Sequence, residues 1–300
     1  MLLLYSCKFI IKYKNLTWFS LFKDYSDQKR TGSKFQAARL IRDPDGLTSG
    51  FLKPHSSRTL TMKLVSVVIL LLAPMLTSCY PPDLPKDCSD IHNNPNTRKS
   101  GVYTIYPISS TSPVQVYCDM DSEGGGWTVF QTRMDGTVNF YRGWDHYKTG
   151  FGNPAGEYWL GLENIYQLTL NRPSELLVQM ENFGGNKAFA LYTSFFIDAE
   201  CNGYRLNVSG FINGGAGDAL TYHNGQKFTT IDKDQDSSPY WNCAIQSLGA
   251  FWYNYCYNTN PNGLYRWEAN SPIYNSVMNW QTWYGYNNLL KFISMSIRSV

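Results

Sequence analysis

Short runs of apolar and β-branched residues, separated by Gly, Asn, Asp and Pro, dominate the sequence from residue 87 onward. Runs rich in Val, Tyr, Thr and Phe predict strands at residues 102–106, 114–117 and 127–131. Helical patterns are few and short, with one at residues 163–168 and a single turn near residues 244–248. This distribution predicts an α+β fold with a mostly antiparallel sheet and long irregular loops.

The C-terminal third, from residue 209 to residue 286, is predicted to contain most of these loops. Loops longer than about 15 residues are unusual in compact domains, and they tend to be functional or tied down. Disulfides, a metal ion and buried aromatic side chains are the available means of holding them. Aromatic residues make up 16% of the sequence and crowd this third, and we expect most of them to lie in the core.

An apolar segment at residues 64–76 has the layout of a secretory signal peptide. It follows Met62 and Lys63, and small residues precede Cys79 at its end. A membrane-spanning helix is the alternative, but the run has 13 residues with Pro74 inside it, whereas a span needs about 20. We therefore expect the segment to be cleaved and the protein to be secreted, with no membrane span.

The position of this signal predicts how the sequence is divided. Because signal peptides stand at the start of a protein, we hypothesise that Met62 is the true initiator and that residues 1–61 are a non-native or disordered upstream extension. The signal then covers residues 62–79, and a short Pro-rich linker covers residues 80–86. The linker has no heptads and no Gly-x-y repeat that would make a stalk.

Charge argues against a nucleic-acid partner. The net charge is +3, but there are 12 Lys and Arg against 4 Asp and Glu before residue 79, and 14 against 19 after it. The segment after Cys79 is therefore slightly acidic, and its Lys and Arg residues are scattered rather than clustered against phosphates.

Secretion also changes the interpretation of the seven cysteines, because thiols tend to pair in an oxidising compartment. Six of them lie at or after residue 79, and their spacing leaves the connectivity open. No Cys-x-x-Cys or Cys/His ligand spacing is present, which favours disulfides over structural zinc.

An acidic run, Asp232-Lys233-Asp234-Gln235-Asp236, places carboxylates at every second position. In a turn they can converge on one hard cation through oxygen ligands, as in the first half of an EF-hand loop. The residues that follow do not match the second half of an EF-hand loop, because Ser237 stands where Gly is needed and Cys243 where the bidentate Glu would be. A solvated turn, whose Asp side chains bind its own backbone, is the alternative.

Catalytic motifs are absent from the sequence. It has no Gly-x-Ser-x-Gly, no His-Glu-x-x-His and no nucleophilic Cys with a nearby His. We therefore expect a binding protein and not an enzyme.

Separated motifs follow one another in a fixed order along the domain: Asp87–Ile91, Ser100–Tyr103, Val116–Met120, Gly125–Gln131, Asn139–Trp144, Gly156–Ile165, Asn242–Ala244 and Gly249–Tyr253. Together they resemble the fibrinogen-related domain family, and the resemblance covers residues 87–300. Residues 221–228 and the short lead before the domain resemble one branch of that family.

The resemblance implies a fibrinogen C-terminal-like fold with three subregions. These are a small N-terminal subregion closed by a disulfide, a central antiparallel sheet and a loop-rich, calcium-binding C-terminal subregion. It also implies that Cys88 pairs with Cys118 and Cys243 with Cys256. Cys79 and Cys201 are left over, to pair with each other, to pair with a second copy or to stay free, and Cys79 could also leave with the signal peptide.

Ca²⁺ is the cofactor that the resemblance implies. The family's ligands correspond to the carboxylates of Asp234 and Asp236 and to two backbone carbonyls further along the loop. The loop before Cys243 is one residue longer than is usual, which makes Ser238 and Tyr240 the predicted carbonyl donors.

Beside the calcium loop, lectin-like members of the family bind acetylated sugars in a pocket with a cis peptide bond. The corresponding bond here is Tyr255–Cys256, and Tyr257, Tyr274 and Asn275 are the other pocket residues. The aromatic side chains could stack on a sugar face. This sequence departs from the pattern at Tyr257, Asn275 and Ser247, so a remodelled or closed pocket is the alternative.

Asn207-Val208-Ser209 is the one acceptor sequon after the signal segment. In a secreted protein it predicts a glycan at Asn207, with an ordinary exposed Asn as the alternative.

Two binding hypotheses with different partners follow from the sequence. A calcium-dependent, lectin-like recognition protein of innate immunity would bind acetylated glycans. A microfibril-associated matrix protein would bind elastic-fibre proteins, collagen or cell-surface receptors. Either role favours a homo-oligomer, because several copies strengthen weak single-site binding.

Overall fold

The computed structural model describes residues 84–94, 99–107, 113–170, 172–267, 276–284 and 289–300. The predicted upstream extension, signal segment and first residues of the linker, together with Cys79, Tyr274 and Asn275, lie outside the described residues. The linker's end contacts the domain, because Tyr106 N donates a hydrogen bond of 2.7 Å to the Pro85 carbonyl.

Nine strands of the described residues form one antiparallel sheet. In sequence order they are β1 Gly101–Ile105, β2 Val114–Asp119, β3 Trp127–Arg133, β4 Phe151–Gly152, β5 Tyr158–Trp159, β6 Ser174–Asn182, β7 Lys187–Ile197, β8 Leu206–Gly214 and β9 Leu290–Ser299. The main path runs β1-β2-β3-β9-β6-β7-β8, and the short β4–β5 pair joins β3. The α+β prediction is confirmed, and all three strands predicted from sequence runs are present.

The helices in the described parts of the protein are short. They are α1 Cys88–His92, α2 Trp144–Thr149, α3 Leu162–Leu170, α4 Cys243–Gln246 and α5 Gln281–Tyr284. The longest, α3, buries Leu162, Ile165 and Leu168 at helical spacing and packs against β7. None of these helices is long and apolar enough to cross a membrane.

The N-terminal subregion is closed by the Cys88–Cys118 disulfide, which joins α1 to β2. Asp87 caps α1 by accepting a hydrogen bond from Asp90 N. Arg172 Nη1 forms salt bridges with the carboxylates of Asp87 and Asp90, at N–O distances of 2.9 and 3.0 Å. The pairing that the resemblance implied is the one in the structure.

Aromatic side chains connect the sheet to the loop region between β8 and β9. Trp159 on β5 lies 5.6 Å from Phe228 and 6.3 Å from Trp252, measured between ring centroids. Phe228 and Trp252 are themselves 5.2 Å apart, and all three side chains are fully buried. These rings give the loops a hydrophobic core, as predicted for most of the aromatic residues.

Candidate functional site

The acidic run does not act as one unit, because Asp232 turns away from the other two acids. Its carboxylate accepts hydrogen bonds from Trp144 N at 2.8 Å and from Thr230 Oγ1 at 2.6 Å. Partial burial opposes ionisation, but these hydrogen bonds lower the pKa of Asp232 overall. Asp232 therefore caps helix α2 from a distant part of the sequence.

Asp234 and Asp236 lie together in the loop before α4. Asp236 accepts hydrogen bonds of 2.8 Å from Ser238 N and from Cys243 N, and its own N–H lies 3.4 Å from Asp234 Oδ1. Burial, with a further contribution from the charge of Asp234, raises the pKa of Asp236 to about 6. Two carboxylates held this close repel each other unless a proton or a cation lies between them.

Ser238 and Tyr240 follow on the same loop, and their roles as carbonyl donors stay a prediction. Among the described residues, no group of three or more His, Cys, Asp or Glu side chains is placed to hold a metal. A calcium ion takes six to eight oxygen ligands, so the two carboxylates would need backbone oxygens and water to complete its shell.

The acidic loop is tied directly to the Cys243–Cys256 disulfide. Asp236 accepts from Cys243 N at the start of α4, and Asn242 caps the helix by accepting from Ala244 N at 2.7 Å through its side-chain oxygen. Across the disulfide, Asn254 N donates to the Cys256 carbonyl at 2.9 Å and closes a tight turn around Tyr255. The Cys243–Cys256 disulfide therefore links the segment that contacts Asp236 to the turn that contains Tyr255.

The predicted cis bond is wrong. The described residues contain no cis peptide bond, so Tyr255–Cys256 is trans. A trans bond avoids the cost of about 3 kcal/mol that a cis bond carries outside proline. The Tyr255 carbonyl accepts a hydrogen bond of 3.1 Å from Tyr222 Oη.

The predicted sugar pocket is brought together only in part. Tyr257 is 7% exposed and lies 6.2 Å from Tyr253 between ring centroids, as a core side chain. Ser247 is also buried. Burial of the Tyr257 ring favours the remodelled or closed alternative, whereas Tyr255 is 51% exposed.

Three exposed aromatic residues form one surface, of which the sequence analysis named Tyr240 as a carbonyl donor and Tyr255 as a pocket residue but missed Trp241. Tyr240, Trp241 and Tyr255 are 74%, 44% and 51% exposed. The ring of Trp241 lies 5.7 Å from that of Tyr240 and 6.1 Å from that of Tyr255. We call these three residues the aromatic platform. The available signal was two adjacent aromatics in a polar loop immediately before Asn242 and Cys243.

His223 holds together the backbone at residues 252, 258 and 259. Its Nδ1 donates to the Trp252 carbonyl at 2.8 Å, and its Nε2 accepts from Asn258 N and Thr259 N at 3.2 and 3.3 Å. Only a neutral imidazole can both donate and accept in this way. Complete burial lowers the pKa of His223 to about 4, which keeps the ring neutral at physiological pH.

Asn207 lies on β8, on the outer face of the sheet, because its neighbours Leu206 and Val208 are buried. Its role as a glycan acceptor stays a prediction.

Cys201 lies in the connection between β7 and β8 with an exposed thiol that is in no disulfide of the described residues.

Comparison with known proteins gives a consistent picture. The family described as "Fibrinogen beta and gamma chains, C-terminal globular domain" matches residues 84–300. Microfibril-associated glycoprotein 4 from Bos taurus is 50% identical over 220 residues, which covers 72% of this chain and 85% of that protein. The human glycoprotein of the same name is 49% identical over 219 residues, 71% of this chain and 85% of that protein.

A solved structure shares the fold. The fibrinogen-like globe domain of human ANGPTL6 is 40% identical with a TM-score of 0.70, and the match covers 73% of this chain and 97% of that domain. The family resemblance of the sequence motifs is therefore confirmed, and so is the likeness of the chain to microfibril-associated glycoprotein 4.

Proposed function

Because this protein belongs to the family of C-terminal globular domains of the fibrinogen beta and gamma chains, we propose that it is a calcium-binding recognition protein of the extracellular matrix that binds microfibril proteins. The protein is secreted and extracellular, like the microfibril-associated relatives. Its family consists of structural and recognition proteins. The observation that carries the proposal is the 50% identity to microfibril-associated glycoprotein 4 over 85% of that protein.

Calcium fits the donor set of the acidic loop. Asp234 and Asp236 offer hard oxygen ligands, and burial, with a smaller contribution from the charge of Asp234, raises the pKa of Asp236. A bound Ca²⁺ would neutralise the two carboxylates and order the loop. Ser238 and Tyr240 would add their carbonyls from the same loop.

The aromatic platform is the proposed contact surface. Exposed Tyr and Trp side chains are typical centres of protein interfaces, because they bury a large area and lose little conformational entropy. The platform shares its loop with the two acids, since Tyr240 follows Asp236 and the disulfide holds Tyr255 beside them. Calcium binding would therefore stabilise the surface that contacts the partner.

Binding to isolated elastic-fibre microfibrils, measured with and without a calcium chelator, tests this function. We expect calcium-dependent binding that W241A and Y255A each weaken about tenfold, since a central aromatic contact contributes more than about 1 kcal/mol. W267A is the matched control, because Trp267 is also an exposed tryptophan but lies outside the platform. Equal binding by wild type, W241A and Y255A would refute the platform as the contact surface, and no microfibril binding would refute the matrix function.

A lectin function is the second candidate, and the exposure of Trp241 and Tyr255 is the observation that favours it. Their rings could stack on the apolar face of an acetylated sugar, although Tyr257 is buried. A glycan array with and without calcium distinguishes the two candidates. Chelator-sensitive binding of N-acetylated glycans supports the lectin, and a blank array excludes it.

Homo-oligomerisation is proposed for either function, because several copies raise the avidity of weak sites. Light scattering of the secreted protein measures the number of copies. A non-reducing gel with wild type and C201S tests whether Cys201 links two copies, and a gel that shows only monomer excludes that link.

A further inference from the structure

Strand β8 forms one edge of the described sheet, with β7 as its only neighbour on the sheet's main path. An edge strand presents a row of backbone N–H and C=O groups that can pair with another protein, and proteins cover such edges in specific ways. The sequon Asn207-Val208-Ser209 lies on this strand. Residues 224–226 already cover the edge beside the sequon, since Leu206 N donates to the Gln226 carbonyl at 2.9 Å, Gly225 N to the Leu206 carbonyl at 2.8 Å and Val208 N to Asn224 Oδ1 at 2.9 Å. A glycan at Asn207 would therefore lie on the outer face of the sheet and not on its edge.

An exposed phenylalanine stands directly opposite the sequon. The register pairs Phe196 on β7 with Asn207 on β8, and it pairs the buried Phe195 with the buried Val208. Phe196 and Asn207 therefore share the outer face, and directly opposed residues of antiparallel strands have Cβ atoms about 5 Å apart. Phe196 is 43% exposed, which leaves its ring open to a group attached at Asn207.

The contacts of Asn207 permit the modification. Its Nδ2 donates to Asp198 Oδ1 at 3.3 Å and to the Arg205 carbonyl at 3.2 Å. Both hydrogen bonds are long, and the amide of a glycosylated Asn keeps one of its two hydrogens. One of the two bonds can therefore remain. Ser209, the third sequon residue, is also exposed.

We propose that Asn207 carries an N-linked glycan whose first N-acetylglucosamine ring packs on Phe196. In the attachment step, Nδ2 loses a proton and forms a bond to the anomeric carbon of an oligosaccharide. The bond from that carbon to the diphosphate of a lipid-linked donor breaks, and the diphosphate leaves with the electron pair. The apolar face of the sugar ring then stacks on the phenyl ring, as sugars do on aromatic side chains.

This inference is independent of the proposed function, since it needs secretion but neither calcium nor a matrix partner. The first experiment expresses the full-length protein in a secreting eukaryotic cell line and maps the peptide that contains Asn207 by mass spectrometry. Treatment with a peptide-N-glycanase should convert Asn207 to Asp and increase the mobility of the protein on a gel. S209A should abolish the shift, while an unmodified Asn207 in the secreted wild type would overturn the proposal.

The second experiment tests the contact with Phe196. Glycosylated wild type, F196T and I212T are each melted before and after enzymatic removal of the glycan, with occupancy checked by mass. Ile212 is the matched control, because it is a similarly exposed apolar residue on β8 that pairs with Leu191 and not with the sequon. We expect deglycosylation to lower the Tm of wild type and I212T by a few degrees and to leave that of F196T unchanged. An equal loss in F196T would overturn the packing of the glycan on Phe196.

Discussion

Glu157 shows how much one buried side chain can organise. Its Oε1 accepts hydrogen bonds from the backbone N–H groups of three successive residues, 134 to 136, at 2.8 to 3.2 Å. Its Oε2 accepts from Val138 N at 3.0 Å, and Arg133 Nε lies 3.6 Å from Oε1. The carboxylate thereby holds the whole turn after β3.

Glu157→Gln should lower the free energy of unfolding by about 3 to 5 kcal/mol. An amide has one acceptor oxygen where the carboxylate has two, and the charge of the buried Arg133 would lose its partner. Urea unfolding measures the loss. E181Q is the control, because Glu181 pairs with Lys291 near the surface and should cost less than about 1 kcal/mol. Equal losses in both variants would contradict this role for Glu157.

His223 makes stability depend on pH. Burial lowers its pKa from 6.5 to about 4, so the unfolded state binds a proton before the folded state does. The contribution of His223 is fully present above pH 6.5 and is lost as pH falls towards 4, where the loss amounts to about 3 kcal/mol.

His223→Gln should remove this part of the pH dependence, because an amide can donate and accept but does not titrate in this range. The slope of the free energy of unfolding between pH 6.5 and 4 should become shallower than in wild type. Identical slopes for wild type and H223Q would show that His223 does not titrate as described.

At the scale of elements, helix α2 depends on a residue far from it in sequence. Its N-cap, Gly143, has no side chain to accept a hydrogen bond, and Asp232 supplies the acceptor from 88 residues away. A Cβ on Gly143 would lie 2.4 Å from Asp232 Oδ2, so the glycine leaves the space that this contact needs. The acidic loop and α2 are thereby locked together.

Asp232→Ala and Asp234→Ala remove the same charge from neighbouring positions and should have different effects. D232A loses a helix cap and should cost about 1 to 2 kcal/mol with or without calcium. D234A should matter little without calcium but should abolish the rise in Tm that calcium gives. Thermal melts of both variants, with calcium and with a chelator, make the comparison. A calcium response that survives in D234A would place the ion elsewhere.

The centre of the sheet is formed by the last strand of the sequence. Strand β9 pairs with β3 on one side and with β6 on the other. Eight consecutive residue pairs, from Ser174↔Ser299 to Glu181↔Phe292, join it to β6 before a register shift. Its residues from Ile293 to Ile297 are all buried, because both faces of a central strand are covered. Strand order of this kind is decided by long-range pairing.

For the whole molecule, the two disulfides of the described residues close loops in different subregions. Cys88–Cys118 spans 30 residues at the N-terminal subregion, and Cys243–Cys256 spans 13 residues beside the acidic loop. Each closure should stabilise the fold by about 3 kcal/mol, chiefly by restricting the unfolded state.

Removing the two disulfides should therefore have additive effects. C88S/C118S and C243S/C256S should each lower the free energy of unfolding by about 3 kcal/mol, and the quadruple variant by the sum to within about 0.5 kcal/mol. Denaturant unfolding of the three variants measures this. A larger deviation would show that the two subregions are coupled through the core. C201S is the control, since Cys201 is in neither disulfide.

The sequence by itself determined the strand runs, the family, the adjacency of Asp234 and Asp236 and the sequon at Asn207. Strand propensity, a turn of alternating acids and a sequon depend on residues within a few positions of one another, so a local pattern is sufficient evidence for them. The two disulfide pairings came from resemblance to the family, because spacing alone left the connectivity open.

Only the tertiary structure decided which of these residues meet. In the structure Asp232 caps helix α2, and Tyr257 is buried. Trp241 lies beside Tyr255, and Phe196 lies opposite Asn207. Each outcome depends on packing or strand register between separate segments of the chain. Asp232 and Trp144, for example, are 88 residues apart in the sequence. Burial and pairing are properties of the assembled core, and the local pattern of a segment does not contain them.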